Sequence, residues 1–313
     1  MKAFITGVGG FMGAHLVDFL NEKGIKIFGT YYMPTTDINY VKQKIEIQEC
    51  DIRDKGKLKK LINYFKPDLI FHLAAQSYPT VSLEKPNYTV QANIEGTLNL
   101  FEALKILKLN PIVLAACSSA EYGFVKPENL PVPENHKLLP LHPYGVSKVA
   151  TDLLTYQFHK NFGIRGLRAR IFNTTGPRKV NDVCSDFTRR AVQIEKGIIE
   201  PIMKVGNLET KRAITDVRDL IKAFWLLVNK GRYGDVYNLS GAKAYKISDI
   251  LGIVLENSGI EPKIVQDQKL IRPTDEPVIL GDSSKLIRET GWKQEIPIEK
   301  TIKDMLDYWR QAL

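Results

Sequence analysis

Cysteine is scarce in this chain, and the three present, Cys50, Cys117 and Cys184, follow no metal-ligand spacing and leave one over from any pairing. A disulfide scaffold is therefore not expected, no metal site is expected, and the usage suits a reducing cytoplasm. Long apolar runs are also missing. No segment approaches the roughly 18 apolar residues that a membrane helix needs, and the first residues run into a strand pattern without the features of a signal peptide. Dense basic blocks are absent although the formal net charge is +9. Lysine and arginine are scattered among acids, as in "RDKGKLKKL" and "GWKQEIPIEK", and no nucleic-acid reading module accompanies them. Nucleic acid is thereby disfavoured as a partner, and an anionic small molecule is the ligand that the charge suits. No internal repeat, low-complexity tract or long linker interrupts the chain.

What is present is the make-up of a globular protein, 44% hydrophobic and 25% charged. At 313 residues it is long enough for one large core and an appended smaller lobe. Short apolar runs alternate with helical patterns through the first half. "KAFIT", "KIFGT", "KIEIQEC", "DLIFHLA", "PIVLAAC" and "IRGLRARIF" read as strands. Residues 11–22, 54–65, a stretch within 86–108 and "PYGVSKVATDLLTYQFHKNF" read as helices. This alternation predicts parallel strands joined by right-handed crossovers, a Rossmann-type doubly wound α/β sheet. Beyond residue 173 the rhythm breaks, while "VRDLIKAFWLLVN" and "GDVYNL" read as a helix and a strand that return to the sheet. The expected division is a dinucleotide-binding domain over 1–172, with returning segments near 214–242, and a smaller, discontinuous α/β lobe mainly over 173–313.

The first strand runs into "TGVGGFMGAHL", where Gly7, Gly10 and Gly13 are spaced GxxGxxG and Phe11 and Met12 open a helix. Glycine permits positive φ, lets backbone approach a pyrophosphate and packs helix on strand, while the helix N-terminus presents N–H groups to the anion. The strand–turn–helix setting gives the motif its weight. After the second strand the chain has "FGTYYMP", with neither the acid that selects NAD nor the arginine that accepts NADP. Thr30 and Tyr31 leave NAD and NADP both open. Asp51 and Ile52 in "CDIRD" follow the third strand, where an adenine edge is read; the other reading of Asp51 is a helix N-cap. Leu73, Ala74 and Ala75 in "HLAAQS" follow the fourth, and the alanines are small enough to let a cofactor approach.

Tyr144 and Lys148 in "PYGVSK" lie one helical turn apart on one face. An ammonium beside a phenol is expected to lower the phenol pKa and make it a usable acid or base. Ser118, at the tip of the fifth strand in "CSSAEYG", would hydrogen-bond the substrate oxygen that gains or loses the proton. Together with the glycine turn, this is the equipment for hydride transfer between a carbinol and a nicotinamide. Among the minor candidates, His72 reads as a satisfied core histidine. His136 and His142 lie in the loop before the tyrosine helix, where His142 either reaches a sugar or packs the loop. Lys204 in "IMKVGN" either adds charge near a diphosphate or is simply solvated.

These segments resemble the extended short-chain dehydrogenase/reductases acting on nucleotide sugars. The likeness runs end to end through "TGVGGFMG", "HLAAQS", "QANIEGTLNL", "SSAEYG", "PYGVSK", "FNTTGP", "VGNLETKRAITDVRD" and "RPTDEPVILGDSSKLIRETGW". Within that group the chain is most similar to the GDP-4-keto-6-deoxy-D-mannose reductases, with the GDP-mannose 4,6-dehydratases next. The resemblance implies that Ser118, Tyr144 and Lys148 form the catalytic triad and that Asn173 touches the sugar or its phosphate. It further implies that Arg212 and Arg272 grip the diphosphate and Asp275 a ribose hydroxyl; the plain alternative for each arginine is a surface ion pair. A nucleotide-sugar substrate, a nicotinamide cofactor, a cytoplasmic location and a homodimer through helices near 86–108 and 144–161, in a four-helix contact, follow from the same likeness.

Within that family the dehydratases place an acid pair after the strand-end hydroxyl, and counting back from Gly123 their glutamate falls at Ala120. Removal of water across C5 and C6 needs a base and an acid there, and a methyl group is neither; the resemblance implies a glutamate at this position in the similar reductases as well, so Ala120 departs from both patterns. Glu121 is expected to point opposite to residue 120 on an extended strand end and to make a structural hydrogen bond or a substrate contact. The reading is accordingly a reductase. A 4-epimerase is the first rival, a dehydratase acting through Glu121 the next, and a non-catalytic dinucleotide sensor, which would typically lack Tyr144 or Lys148, the last.

Overall fold

The structure, a computed structural model, describes residues 1–271 and 276–313. Its first six strands are β1 (Lys2–Thr6), β2 (Lys26–Tyr31), β3 (Glu46–Glu49), β4 (Leu69–His72), β5 (Ile112–Ser118) and β6 (Arg165–Ile171). Then come β7 (Asn173–Thr175), β8 (Ile202–Val205) and β9 (Lys211–Asp216), and β10 (Val236–Leu239) returns to the main sheet beside β6. The seven-stranded sheet has the order β10-β6-β5-β4-β1-β2-β3, and every pairing in it is parallel. The order reverses beside β1, the switch point where open parallel sheets bind their ligands.

The strands are apolar on both faces because helices cover both. Ile5, Phe71 and Leu114 face one core with Leu20, Leu220 and Phe224 from helices Phe11–Glu22 and Val217–Lys230. Phe4, Ile70 and Val113 face the other with Ile62, Leu100 and Phe158 from helices Lys55–Phe65, Gly96–Leu107 and Pro143–Phe162. Burial of each such side chain contributes about 1.5–3 kcal/mol, so the sheet frame is strongly held.

The second lobe has its own core, built by Phe187, Ile250, Met305 and Trp309 from helices Val183–Glu195, Ile247–Ser258 and Ile298–Ala312. Strand β9 pairs with β7, with β11 (Ala244–Lys246) and with β13 (Val278–Ile279), while β12 (Lys263–Gln266) pairs with β8.

The stretch expected as one long helix within 86–108 contains a π-helical turn at Gln91–Glu95. That turn aims the buried Asn93 side chain at the Gln76 backbone, accepting from Gln76 N at 2.7 Å and donating to Gln76 O at 2.9 Å, and at Ser147 Oγ at 2.8 Å. The loop after β4 is thereby tied to the tyrosine helix.

Candidate functional site

A cleft runs between the lobes as two adjoining cavities of about 620 Å³ and about 500 Å³. The larger lies over the C-terminal ends of β1, β2, β4 and β5 and is floored by Gly7, Gly10, Phe11, Met12 and Gly13. Gly7 has φ +82°, and a β-carbon on it would lie 2.9 Å from Ala74 N and Cα. A β-carbon on Gly13 would lie 2.3 Å from Gly7 O. Both positions are thus closed to a side chain, and helix Phe11–Glu22 starts from Gly10 with no side-chain cap, leaving first-turn N–H groups for an anion. Leu73, Ala74 and Ala75 form an adjoining wall.

Thr30, Asp51 and Ile52 line the far end. Thr30 Oγ1 is buried without a hydrogen-bond partner among the described residues, an orphan that a ribose hydroxyl would satisfy. Asp51 is not a helix N-cap; Asp54 fills that position, accepting from Lys57 N at 2.9 Å. Asp51 instead accepts from Arg53 N at 2.9 Å and from its guanidinium. Burial pushes the Asp51 carboxyl up, but the Arg53 bonds and charge outweigh it and hold the group below its ordinary range. The glycine cradle, the bare helix start and the orphaned hydroxyl together fit a dinucleotide.

Ser118, Tyr144 and Lys148 meet on the same cavity. Ser118 ends β5 and caps a 3₁₀ turn, Ser119–Glu121. Its Oγ accepts from Ala120 N at 3.2 Å, and its side chain is near enough to the Tyr144 phenol to draw that group's pKa down. His142 Nδ1 accepts from Gly145 N at 3.0 Å and caps helix Pro143–Phe162, and the His142 ring stacks beside Tyr144 at 5.9 Å. Gly145 lets that helix approach the strand end, since a β-carbon there would sit 2.6 Å from Ala120 O.

Lys148 Nζ donates to Ala116 O at 2.7 Å and lies 5.9 Å from the Tyr144 ring centroid. The expected acidification of the phenol is not what the structure has. Burial pushes Tyr144 up to about 12, the neighbouring Ser118 side chain pulling it down and the Glu121 and Cys117 charges adding to the rise. Burial also lowers Lys148. Desolvation outweighs the charge pairing expected from spacing alone, so both groups favour their neutral forms more than in water.

Ala120 lines the cavity beside Ser118. Glu121 is fully buried and accepts from Ser118 N at 2.8 Å. The expectation of an extended strand end is corrected here: the chain turns in a 3₁₀ loop, and a capping box draws Glu121 inward.

Asn173 and Arg212 line both cavities, and Lys204 lines the smaller. Asn173 Nδ2 is buried without a partner among the described residues, and Arg212 Nη1 donates to Lys211 O at 2.9 Å and Glu276 O at 2.7 Å. Arg272 and Asp275 lie outside the described residues. His72 is a core histidine, its ring nitrogens 2.9 Å from Thr6 Oγ1 and 3.0 Å from Thr97 Oγ1. His136 Nδ1 lies 2.9 Å from Lys137 O, away from the cavities.

Sequence reasoning passed over Lys179 and Tyr88, which both line the larger cavity. Lys179 Nζ sits 4.8 Å from the Phe11 ring and Tyr88 carries Arg53 at 5.0 Å. Neither lies in a spacing motif that marks it. All three cysteines are free and buried, and no helix among the described residues is long and apolar enough to cross a membrane.

Residues 4–305 match the family described as GDP-mannose 4,6 dehydratase. Among curated relatives, GDP-6-deoxy-D-mannose reductase of Pseudomonas aeruginosa is 31% identical over 313 residues, covering 100% of this chain and 98% of the relative. The structure of RMD from Pseudomonas aeruginosa complexed with NADPH has a TM-score of 0.87 and 29% identity, covering 100% of this chain and 99% of that one. UDP-glucose 4-epimerase of Thermus thermophilus in complex with NAD has a TM-score of 0.90 and 25% identity, with 100% of both chains covered.

Proposed function

The chain belongs to the GDP-mannose 4,6 dehydratase family, and from that premise we propose that it reduces the 4-keto group of a GDP-linked 4-keto-6-deoxyhexose. The observation that carries this reading is at the strand end: Ala120 faces the cavity where a dehydratase needs an acid, and Glu121 is turned into the core. The chain is an NAD(P)-dependent enzyme, and the bound nicotinamide supplies the hydride.

The residues supply the rest. Ser118 and Tyr144 hold the keto oxygen between two hydroxyls. Tyr144, kept protonated by burial, delivers a proton to that oxygen as it becomes a carbinol. Lys148 steadies the phenolate left behind. Gly7, Gly10, Phe11, Met12, Gly13, Thr30, Asp51, Ile52, Leu73, Ala74 and Ala75 hold the dinucleotide, with Tyr144 and Lys148 closing on its nicotinamide end. Asn173, Lys204 and Arg212 take the sugar diphosphate, whose roughly two negative charges suit a guanidinium fork. NADP and NAD are both accommodated, since the β2 end carries neither the selecting acid nor an arginine.

The test mixes the purified protein with GDP-4-keto-6-deoxymannose and NADPH or NADH and follows nicotinamide absorbance. Turnover is expected with the wild type, and Tyr144→Phe should keep cofactor binding while losing about 10²–10⁴ in kcat. A folded protein that binds both ligands and turns over with neither cofactor refutes the reading. The likeness to a 4-epimerase supports a second one, and recovery of tightly held NAD with the purified protein would favour it.

The proposal extends to a cytoplasmic homodimer. Val146, Leu153 and Tyr156 are exposed at helical spacing on Pro143–Phe162, and Val90 is exposed at the end of the short helix Pro86–Val90, which packs against it. A second copy would cover this stripe.

A further inference from the structure

Strand β6 carries three arginines, Arg165 at its first position and Arg168 and Arg170 within its inner half. Arg170 is almost wholly buried, with 3% of its surface exposed. Its Nε donates to Glu121 Oε2 at 3.1 Å and to Asp152 Oδ2 at 2.9 Å. Its Nη1 donates to Tyr122 Oη at 2.9 Å and Glu134 O at 2.8 Å. Arg168 Nη1 completes the charge balance by donating to Asp152 Oδ1 at 2.7 Å.

The two acids belong to the two elements that carry Ser118, Tyr144 and Lys148. Glu121 holds Ser118 N at 2.8 Å through its other oxygen. Asp152 lies on helix Pro143–Phe162 one turn beyond Lys148 and two beyond Tyr144, on their face. One guanidinium therefore bridges the strand end to the helix. We propose that Arg170 is a positioning residue, which by bonding Glu121 and Asp152 together fixes Ser118 relative to Tyr144 and Lys148.

Stability alone does not explain the arrangement. Burying two acids and two guanidiniums is costly, and apolar side chains of similar volume generally serve a core as well or better. What a planar, forked cation adds is fixed geometry between two elements, and a misplacement of about 1 Å between reacting groups costs on the order of 10²-fold in rate. The same engagement accounts for Glu121 in a site without an acid at 120: burial, with the Asp152 charge adding to it, pushes its pKa up to about 8, and its side chain is spent on Ser118 N and Arg170.

The proposal rests on Ser118, Tyr144 and Lys148 being the reacting trio. Its test uses charge-conserving variants of the full chain. Glu121→Asp withdraws the carboxylate by one methylene from Ser118 N, and Asp152→Glu displaces the helix side of the bridge. For each, kcat should fall roughly 10–100-fold with KM and the NADPH dissociation constant within about threefold of wild type. Ile62→Val, on the core face of helix Lys55–Phe65, should lower the melting temperature with kcat unchanged, separating stability from positioning. Wild-type kcat in both folded charge-conserving variants would overturn the proposal, as would a loss shared equally by kcat and cofactor binding. Should either variant fail to fold, Glu121→Gln, which keeps an acceptor for Ser118 N but weakens the bond to Arg170, must show the same kcat-specific loss. If the wild type consumes no cofactor with the 4-keto sugar, only the reductase reading falls. The variants are then compared in the nucleotide-sugar oxidation or epimerisation that the wild type performs, since the same trio serves it.

Discussion

The His72 imidazole sits between two threonine hydroxyls in the core, and burial, with the Lys148 charge adding to it, pulls its pKa down to about 3. The folded protein therefore keeps this ring neutral at pH values where the unfolded chain, near 6.5, takes up a proton. Stability from this source is fully present above about pH 6.5 and declines as pH falls below it. Between pH 7.5 and pH 5 the loss amounts to roughly 2 kcal/mol. Urea unfolding at the two pH values should show His72→Gln losing about that much less than wild type over the interval. An unchanged pH dependence in the variant would mean that His72 titrates normally. At this scale the sequence was informative about residue type and position: a lone histidine on an apolar strand reads as core. The state of Tyr144 was not legible, because desolvation depends on what packs around the phenol, and spacing along a helix carries none of that.

Among the elements, the glycine turn is the most fully written in the sequence. Its strand, its positive-φ residue and its bare helix start are local properties, fixed by residues 2–14. Gly13→Ala should leave the sheet folded but force the turn apart, because the new methyl would lie 2.3 Å from Gly7 O. We expect NADPH or NADH binding to weaken about tenfold or more, the equivalent of about 1.4 kcal/mol, measured by cofactor fluorescence. Wild-type affinity in a folded Gly13→Ala would remove the turn from the cofactor site. The strand end at Ser118–Glu121 was less legible. Alternation assigned Glu121 a face by assuming extended backbone, whereas a capping box converts the end to a 3₁₀ turn. The π-helical turn at Gln91–Glu95 has no pattern of its own in sequence, since it exists to reach Gln76 and Ser147 across the fold.

For the whole molecule, the cleft between the sheet and the second lobe is where distant segments meet. Asn173, Lys204 and Arg212 come together there from three different segments. The exposed stripe on helix Pro143–Phe162 belongs to this scale as well. Leu153→Asp should place a charge at its centre, convert a dimer to a monomer in sedimentation at micromolar concentration and leave the cofactor cavity intact. A wild-type protein that sediments as a monomer would end the dimer proposal.

The parallel sheet, the glycine turn and the positions of Ser118, Ala120, Tyr144 and Lys148 can be read from the chain alone, because each follows from periodicity or from residue chemistry within a few positions. The 3₁₀ turn that carries Glu121 to its buried partners, the retained proton of Tyr144 and the Arg170 link between strand end and tyrosine helix come from the folded arrangement. Those properties arise from burial and from contacts between residues as far apart as 49 positions, and no local pattern encodes the energy of a charge by what surrounds it.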